Sequence, residues 1–116
     1  MGERAEMSFV YLASPYSHQC PSVMHLRFIS ACRAAGKPME QGLVVFAPIC
    51  HSHPIAEEMR GRHTDHAFWM AQDLPILAHA DRLVVLQLDG WVESRGIAEE
   101  ITFARWNGIP VEYMEP

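Results

Sequence analysis

Phe9-Val10-Tyr11-Leu12-Ala13 follows Ser8 without a polar break, and Ser14-Pro15 then ends the run. A short aromatic and β-branched stretch closed by a Ser-Pro pair reads as a strand. Polar residues do not alternate with apolar ones along it. A strand of that kind buries both faces, as strands of a parallel sheet do. Two further runs have the same character, Leu43–Ala47 (L-V-V-F-A, stopped by Pro48) and Arg82–Leu88 (R-L-V-V-L-Q-L, stopped by the Asp89-Gly90 turn). Pro110–Met114 makes a short fourth.

Helical text separates these runs. Val23–Gln41 is expected to be helical, with Leu26, Ile29, Ala34 and Met39 turned inward and Gly42 closing it. Gly36-Lys37-Pro38 is the point where it is expected to break. Ile49–His63 contains Pro54 and Gly61 and has no clear period. It reads as a long loop with one helical turn at Ile55–Arg60, and long loops in compact domains often hold ligands. Thr64–Gln72 reads as a helix capped by Thr64, and Asp73-Leu74-Pro75 as a fresh start with Asp73 as cap. Ser94–Asn107 is the last helix, with Gly108 after it. Strands alternating with helices imply right-handed crossovers. The expected fold is therefore a single α/β domain over residues 1–116. It is a doubly wound parallel sheet, flavodoxin- or Rossmann-like, of about four strands with helices on both faces. Ligands of such sheets sit beyond the carboxyl ends of the strands. That places attention on Ser14–His25, Pro48–His63 and Asp89–Gly96.

Composition narrows the function classes. The chain has 116 residues, 49% hydrophobic and 20% charged, with a formal charge of −5. This balance excludes a disordered chain and lacks the basic footprint of a duplex nucleic-acid binder. A small anion remains compatible, since a few local donors suffice to hold one. The three cysteines, Cys20, Cys32 and Cys50, are odd in number and widely spaced, which fits a reducing compartment rather than a disulfide framework. The polar start Met1–Glu6 is unlike a signal peptide, and no apolar run approaches the ~20 residues of a membrane span. A cytoplasmic protein with no membrane partner is expected, and no motif calls for a cofactor.

The last helix carries the most chemistry. Ile97, Ile101 and Ala104 mark its buried stripe. At 100° per residue Glu100 lies about 60° from Ile97, on the flank of that stripe, whereas Glu99 lies about 160° away. A carboxylate beside the core and facing the strand ends suits a nucleophile or base. Glutamates also simply favour the first turns of a helix, and spacing does not separate the two readings.

Three motifs in order are familiar: Tyr11-Leu12-Ala13-Ser14-Pro15-Tyr16, Asp73-x7-Asp81 before a strand, and Ser94-x-Gly96-x3-Glu100-x3-Ala104 after it. From about Phe9 to Val111 the chain resembles the nucleoside 2-deoxyribosyltransferase superfamily. Pro48–Ala56 and the Leu88-Asp89-Gly90-Trp91 turn are similar to a bacterial group within it that is described as a domain without an assigned activity. The resemblance implies that Glu100 attacks C1′ of a (deoxy)ribose and expels the base. It implies that Asp73 assists the sugar hydroxyls or the leaving base, and that Tyr11, Ser14 and Tyr16 line the sugar pocket. At Ser94 it implies a 5′-phosphate site, and a serine at a helix start suits an anion. An ordinary N-cap explains the same serine equally well. The implied activity is hydrolysis or transfer at the N-glycosidic bond of a nucleoside 5′-monophosphate or related nucleoside.

The histidine-rich segment Cys50-His51-Ser52-His53 is not part of the transferase pattern. On an extended chain His51 and His53 share a side, so they are open to ligand contact, acid/base work, zinc binding or plain packing. His63-x2-His66 is at helical spacing, but no complete metal signature accompanies either pair. Asp89 and Trp91 follow a strand end, where Trp91 can stack on a base or roof the pocket. Trp106 falls opposite Ile97 and is expected to be exposed, which suggests a homo-oligomer. Rivals to the glycosidic reading are a nucleotide-binding module without turnover and a metal-assisted hydrolase built on His51 and His53.

Overall fold

The computed structural model describes residues 8–62 and 65–116. His63, Thr64 as a helix cap, and the Met1–Glu6 segment lie outside the described residues. Four strands, β1 (Val10–Ala13), β2 (Val45–Phe46), β3 (Arg82–Leu86) and β4 (Val111–Met114), form one sheet in the order β2-β1-β3-β4. Every neighbouring pair is parallel, with Tyr11 opposite Phe46 on one side and Leu83 on the other. The helices are α1 (Pro21–Glu40), α2 (Pro48–Glu58), α3 (His66–Leu77) and α4 (Arg95–Trp106). This is the doubly wound α/β arrangement expected. No helix among the described residues is long and apolar enough to cross a membrane.

Both faces of the central strands are buried, for the reason their sequence suggests. Tyr11, Ala13, Leu83 and Val85 pack with Leu77 of α3 and with Ile97 and Ala104 of α4. Leu12 and Leu86 point the other way and pack with Ala34 and Ala35 of α1 and with Ala47. Cys50 of α2 joins this second cluster, and Leu74 and Ile76 of α3 join the first. The connection from β2 to β3 therefore begins on one face and ends on the other. The chain leaves β1 toward β2 and later returns to β3 on β1's other side, so the strand order reverses between β1 and β3. A crevice opens at such a point beyond the carboxyl ends.

Four expectations about the helices are corrected. Helix α1 does not break at Gly36-Lys37-Pro38 but runs on to Glu40; Pro38 stands in the last turn, so the hydrogen bond its missing N–H forgoes is one of the final ones. Gly42 closes it at φ +94°, its N–H donating to the Met39 carbonyl while Leu43 N–H reaches the Pro38 carbonyl. The inward face of α1 is Ala31, Ala34 and Ala35, while Leu26 and Met39 are exposed. Small residues let the helix approach the sheet closely, and the larger ones are left outside.

Ile49–His63 is not a long loop: α2 occupies Pro48–Glu58. Pro48 stands at the first helical position, where its missing N–H is harmless. Asp73 does not start a new helix. Asp65 caps α3, accepting from Phe68 N–H at 2.7 Å, and the helix continues through Asp73 and Pro75 to Leu77. The last helix has its expected bounds, with Ser94 as N-cap.

Leu83 is fully buried between strands and helices, so Leu83→Ala is expected to cost about 2–5 kcal/mol in denaturant unfolding. Leu26→Ala on the outer face of α1 should stay within about 0.5 kcal/mol of the parent. Comparable losses at the two positions would contradict the packing described.

Candidate functional site

A cavity of about 660 Å³ opens at the carboxyl ends of the strands. Ser14 and Tyr16 enter it from the end of β1, and Pro48, Ile49 and Ser52 from the start of α2. His66, Trp69, Met70 and Asp73 come from α3 at i, i+3, i+4 and i+7, one face of a continuous helix. Ser94, Arg95, Gly96 and Glu100 come from α4. Glu100 lies one turn after Gly96 and beside Ile97, so the stripe that docks α4 on the sheet also carries its carboxyl inward.

Glu100 is 4% exposed and Asp73 7%. The Tyr11 hydroxyl, projecting from the middle of β1, donates to Oε2 of Glu100 at 2.5 Å. Burial pushes the Glu100 carboxyl up to about 8; the Tyr11 hydrogen bond opposes this, and the charges of Asp73 and Glu99 add to it. Burial alone pushes Asp73 up to about 6. The Tyr11 hydroxyl is itself raised, first by burial and then by the two carboxylates, so it stays a donor. Between about pH 6 and about pH 8 Asp73 is therefore ionised while Glu100 keeps its proton.

Ser14 is buried, and its Oγ has no hydrogen-bond partner. A buried hydroxyl at a cavity wall has a donor and lone pairs left for a ligand. Ser94 caps α4, accepting from Ile97 N–H at 3.2 Å, and also lines the cavity. Tyr16 holds His53 by a 2.6 Å bond between its hydroxyl and Nδ1.

The remaining candidates are placed differently from their sequence expectations. On helix α2 His51 and His53 project about 200° apart rather than to one side. His53 is buried behind Tyr16, while His51 is exposed and near Phe46. They do not converge, and the described residues hold no group of three metal-ligating side chains. Trp91 packs against Tyr113 and the core rather than roofing the cavity, because the turn at Gly90 (φ +94°) sends it back over the sheet. Asp89 contributes its main-chain carbonyl, which accepts from Arg27 at 3.2 Å.

Arg27 was not singled out by the sequence. Its guanidinium reaches from α1 to the carbonyls of Ser17 (2.9 Å) and Asp89, tying the loop after β1 to the loop after β3. A Cβ at Gly90 would meet Nη2 of Arg27, so the glycine keeps room for this brace. His66 lies 3.0 Å from Glu99 and links α3 to α4 at the rim of the cavity.

The family model of a domain of unknown function (DUF1937) matches residues 8–116, and the chain belongs to that family. No curated protein matches it.

The raised Glu100 carboxyl has a consequence for stability. The folded protein keeps this proton up to about pH 8, whereas the unfolded chain releases it near the ordinary 4.5, so stability is lost as pH rises between those values. Glu100→Gln removes that loss and retains an acceptor for Tyr11. The Gln protein is expected to melt close to the parent at pH 4 and several degrees higher at pH 8. Parallel melting curves across that range would contradict a buried, proton-holding Glu100.

Proposed function

We propose that this chain cleaves the N-glycosidic bond of a nucleoside 5′-monophosphate or a related nucleoside, by hydrolysis or transfer, with Glu100 as the nucleophile. The observation that carries the reading is a buried carboxyl pair, Glu100 and Asp73, in a nucleotide-sized cavity at the point where the strand order reverses. The resemblance of the motifs around Tyr11, Asp73 and Glu100 to the nucleoside 2-deoxyribosyltransferase superfamily supports the same chemistry.

In this reading Glu100, once deprotonated, attacks C1′ as the bond to the base lengthens, and a sugar ester remains on the enzyme until water or a second base takes it. Tyr11 holds Oε2, leaving the other carboxyl oxygen to attack, and its hydrogen bond strengthens again as negative charge returns to the carboxylate when the ester breaks down. Asp73 is the second carboxyl for a sugar hydroxyl or the leaving base. Ser14 and Tyr16 contact the sugar side of the ligand. Ser94, Gly96 and the free N–H groups at the start of α4 are the place for a 5′-phosphate. Trp106, 85% exposed on α4, favours self-association as a further part of the proposal.

A screen of nucleosides and their 5′-monophosphates for free base tests the reading. Glu100→Ala is expected to lower release by about a hundredfold or more while ligand binding persists. Because Glu100 must lose its proton before it attacks, kcat/KM should rise with pH and level off above about 8. Ligand binding without base release at any pH would make the chain a binding module. Full release by Glu100→Ala would place the chemistry elsewhere.

A further inference from the structure

Asp73 and Glu100 stand on α3 and α4 respectively, which cover one face of the sheet. The opposite wall of the cavity is built by the loop after β1 and by α2. Tyr16 lies on that wall, half-buried, and a chain of groups runs back from it. Its hydroxyl meets Nδ1 of His53 at 2.6 Å. The His53 imidazole is 5% exposed and lies face to face with Phe28 of α1, ring centres 4.2 Å apart, so it does not turn without losing that contact. Its Nε2 has no aligned hydrogen-bond partner but sits 3.5 Å from Oε2 of Glu57, one turn further along α2. Glu57 reaches solvent, its side chain 66% exposed. The titratable and charged groups around the imidazole are Tyr16 from the β1 loop, His25 from α1 at 5.7 Å between rings, and Glu57 from its own helix. Arg27 of α1 stands beyond, bound to the carbonyls of Tyr16 and Ser17.

A displacement at C1′ needs attack from one side of the sugar and departure from the other. A base leaving as an anion is a poor leaving group, so a proton donor belongs on the wall opposite the nucleophile. We propose that Tyr16 is that donor, which leaves Asp73 to the sugar hydroxyls, and that His53 and Glu57 are positioning residues that supply and hold its proton. The inference rests on the glycosidic reading for the reaction it serves. As the C1′–N bond breaks, its electron pair passes to the base nitrogen and the phenol proton moves onto the base. The Nδ1 proton of a His53 imidazolium moves to the phenol oxygen, and Nε2 keeps its own. Glu57, 3.5 Å from Nε2, orients the ring for this transfer, as a carboxylate does beside a working histidine. Solvent restores the proton once the base departs. Burial and the Glu57 charge raise the Tyr16 hydroxyl, which disfavours a standing phenolate and keeps the proton in place until it is needed.

The test compares a purine nucleoside 5′-monophosphate with its N7-methylated counterpart, whose base carries a positive charge already and departs neutral without a proton. Tyr16→Phe and His53→Gln are each expected to slow release of the ordinary purine about a hundredfold and of the methylated one by less than about threefold. Glu57→Gln, at an exposed position that tolerates change, should show the same selectivity at smaller size. Glu100→Ala should lose both substrates alike, which separates the nucleophile from the donor. Equal losses for the two substrates in the Tyr16, His53 and Glu57 variants would overturn the proposal. If the parent protein releases base from neither purine, the glycosidic reading fails on that arm, and nitrogen NMR of His53 decides the relay. Adding the purine monophosphate should then move the Nδ1 resonance in the parent and not in Tyr16→Phe; movement in both, or in neither, overturns it.

Discussion

A parallel sheet must be covered on both faces, and that constraint organises this molecule. Tyr11 and Leu12 are neighbours in β1, yet one packs toward α3 and α4 and the other toward α1. Covering both sides requires the chain to cross from one face to the other between β2 and β3, and the crossing separates α2 from α3. The strand order reverses between β1 and β3 as a result, and the cavity lies beyond the ends of those strands. The same stripe that docks α4 carries Glu100 under the sheet edge, where Tyr11 meets it. Packing and site geometry are thus one arrangement: moving α4 to relieve the buried carboxyl would also undo the Ile97 and Ala104 contacts.

Burial sets the protonation of that carboxyl. A single hydrogen bond from Tyr11 does not offset the loss of water around Glu100, and the neighbouring carboxyl makes full ionisation harder still. The group most suited by position to attack is therefore the one that holds its proton longest, and Asp73 gives up its own earlier. A ligand that brings a developing positive charge to C1′ would stabilise the Glu100 anion, so the empty site resists ionisation that the bound site favours.

The strands and the last helix were legible because their signals are local. Tyr11 and Leu12 share an unbroken apolar run, and Ile97, Glu100 and Ala104 follow from helical period alone. The two middle helices were not, and proline is the reason. Pro48 and Pro54 read as breakers, though the first stands at a helix start, and Pro75 suggested a new beginning at Asp73 when α3 simply runs past it. Reading α3 as interrupted hid the stripe of His66, Trp69, Met70 and Asp73, which is visible once the period is carried through. Treating α2 as extended put His51 and His53 on one side, whereas helical geometry sends His53 inward to Tyr16 and His51 out. Arg27 carried no signal in the sequence, because its role is to bridge main-chain carbonyls of Ser17 and Asp89 that only the fold brings together.

The central claim is that Glu100 forms a bond to the sugar, and trapping that bond addresses it most directly. A nucleoside 5′-monophosphate carrying fluorine at C2′ destabilises the positive charge at C1′ and slows breakdown of the ester. Incubated with the protein and digested, it should leave one sugar phosphate on the peptide that contains Glu100, seen by mass spectrometry and missing from Glu100→Gln. Base release that proceeds with no adduct, or an adduct that maps to Asp73 or another residue, would contradict the account.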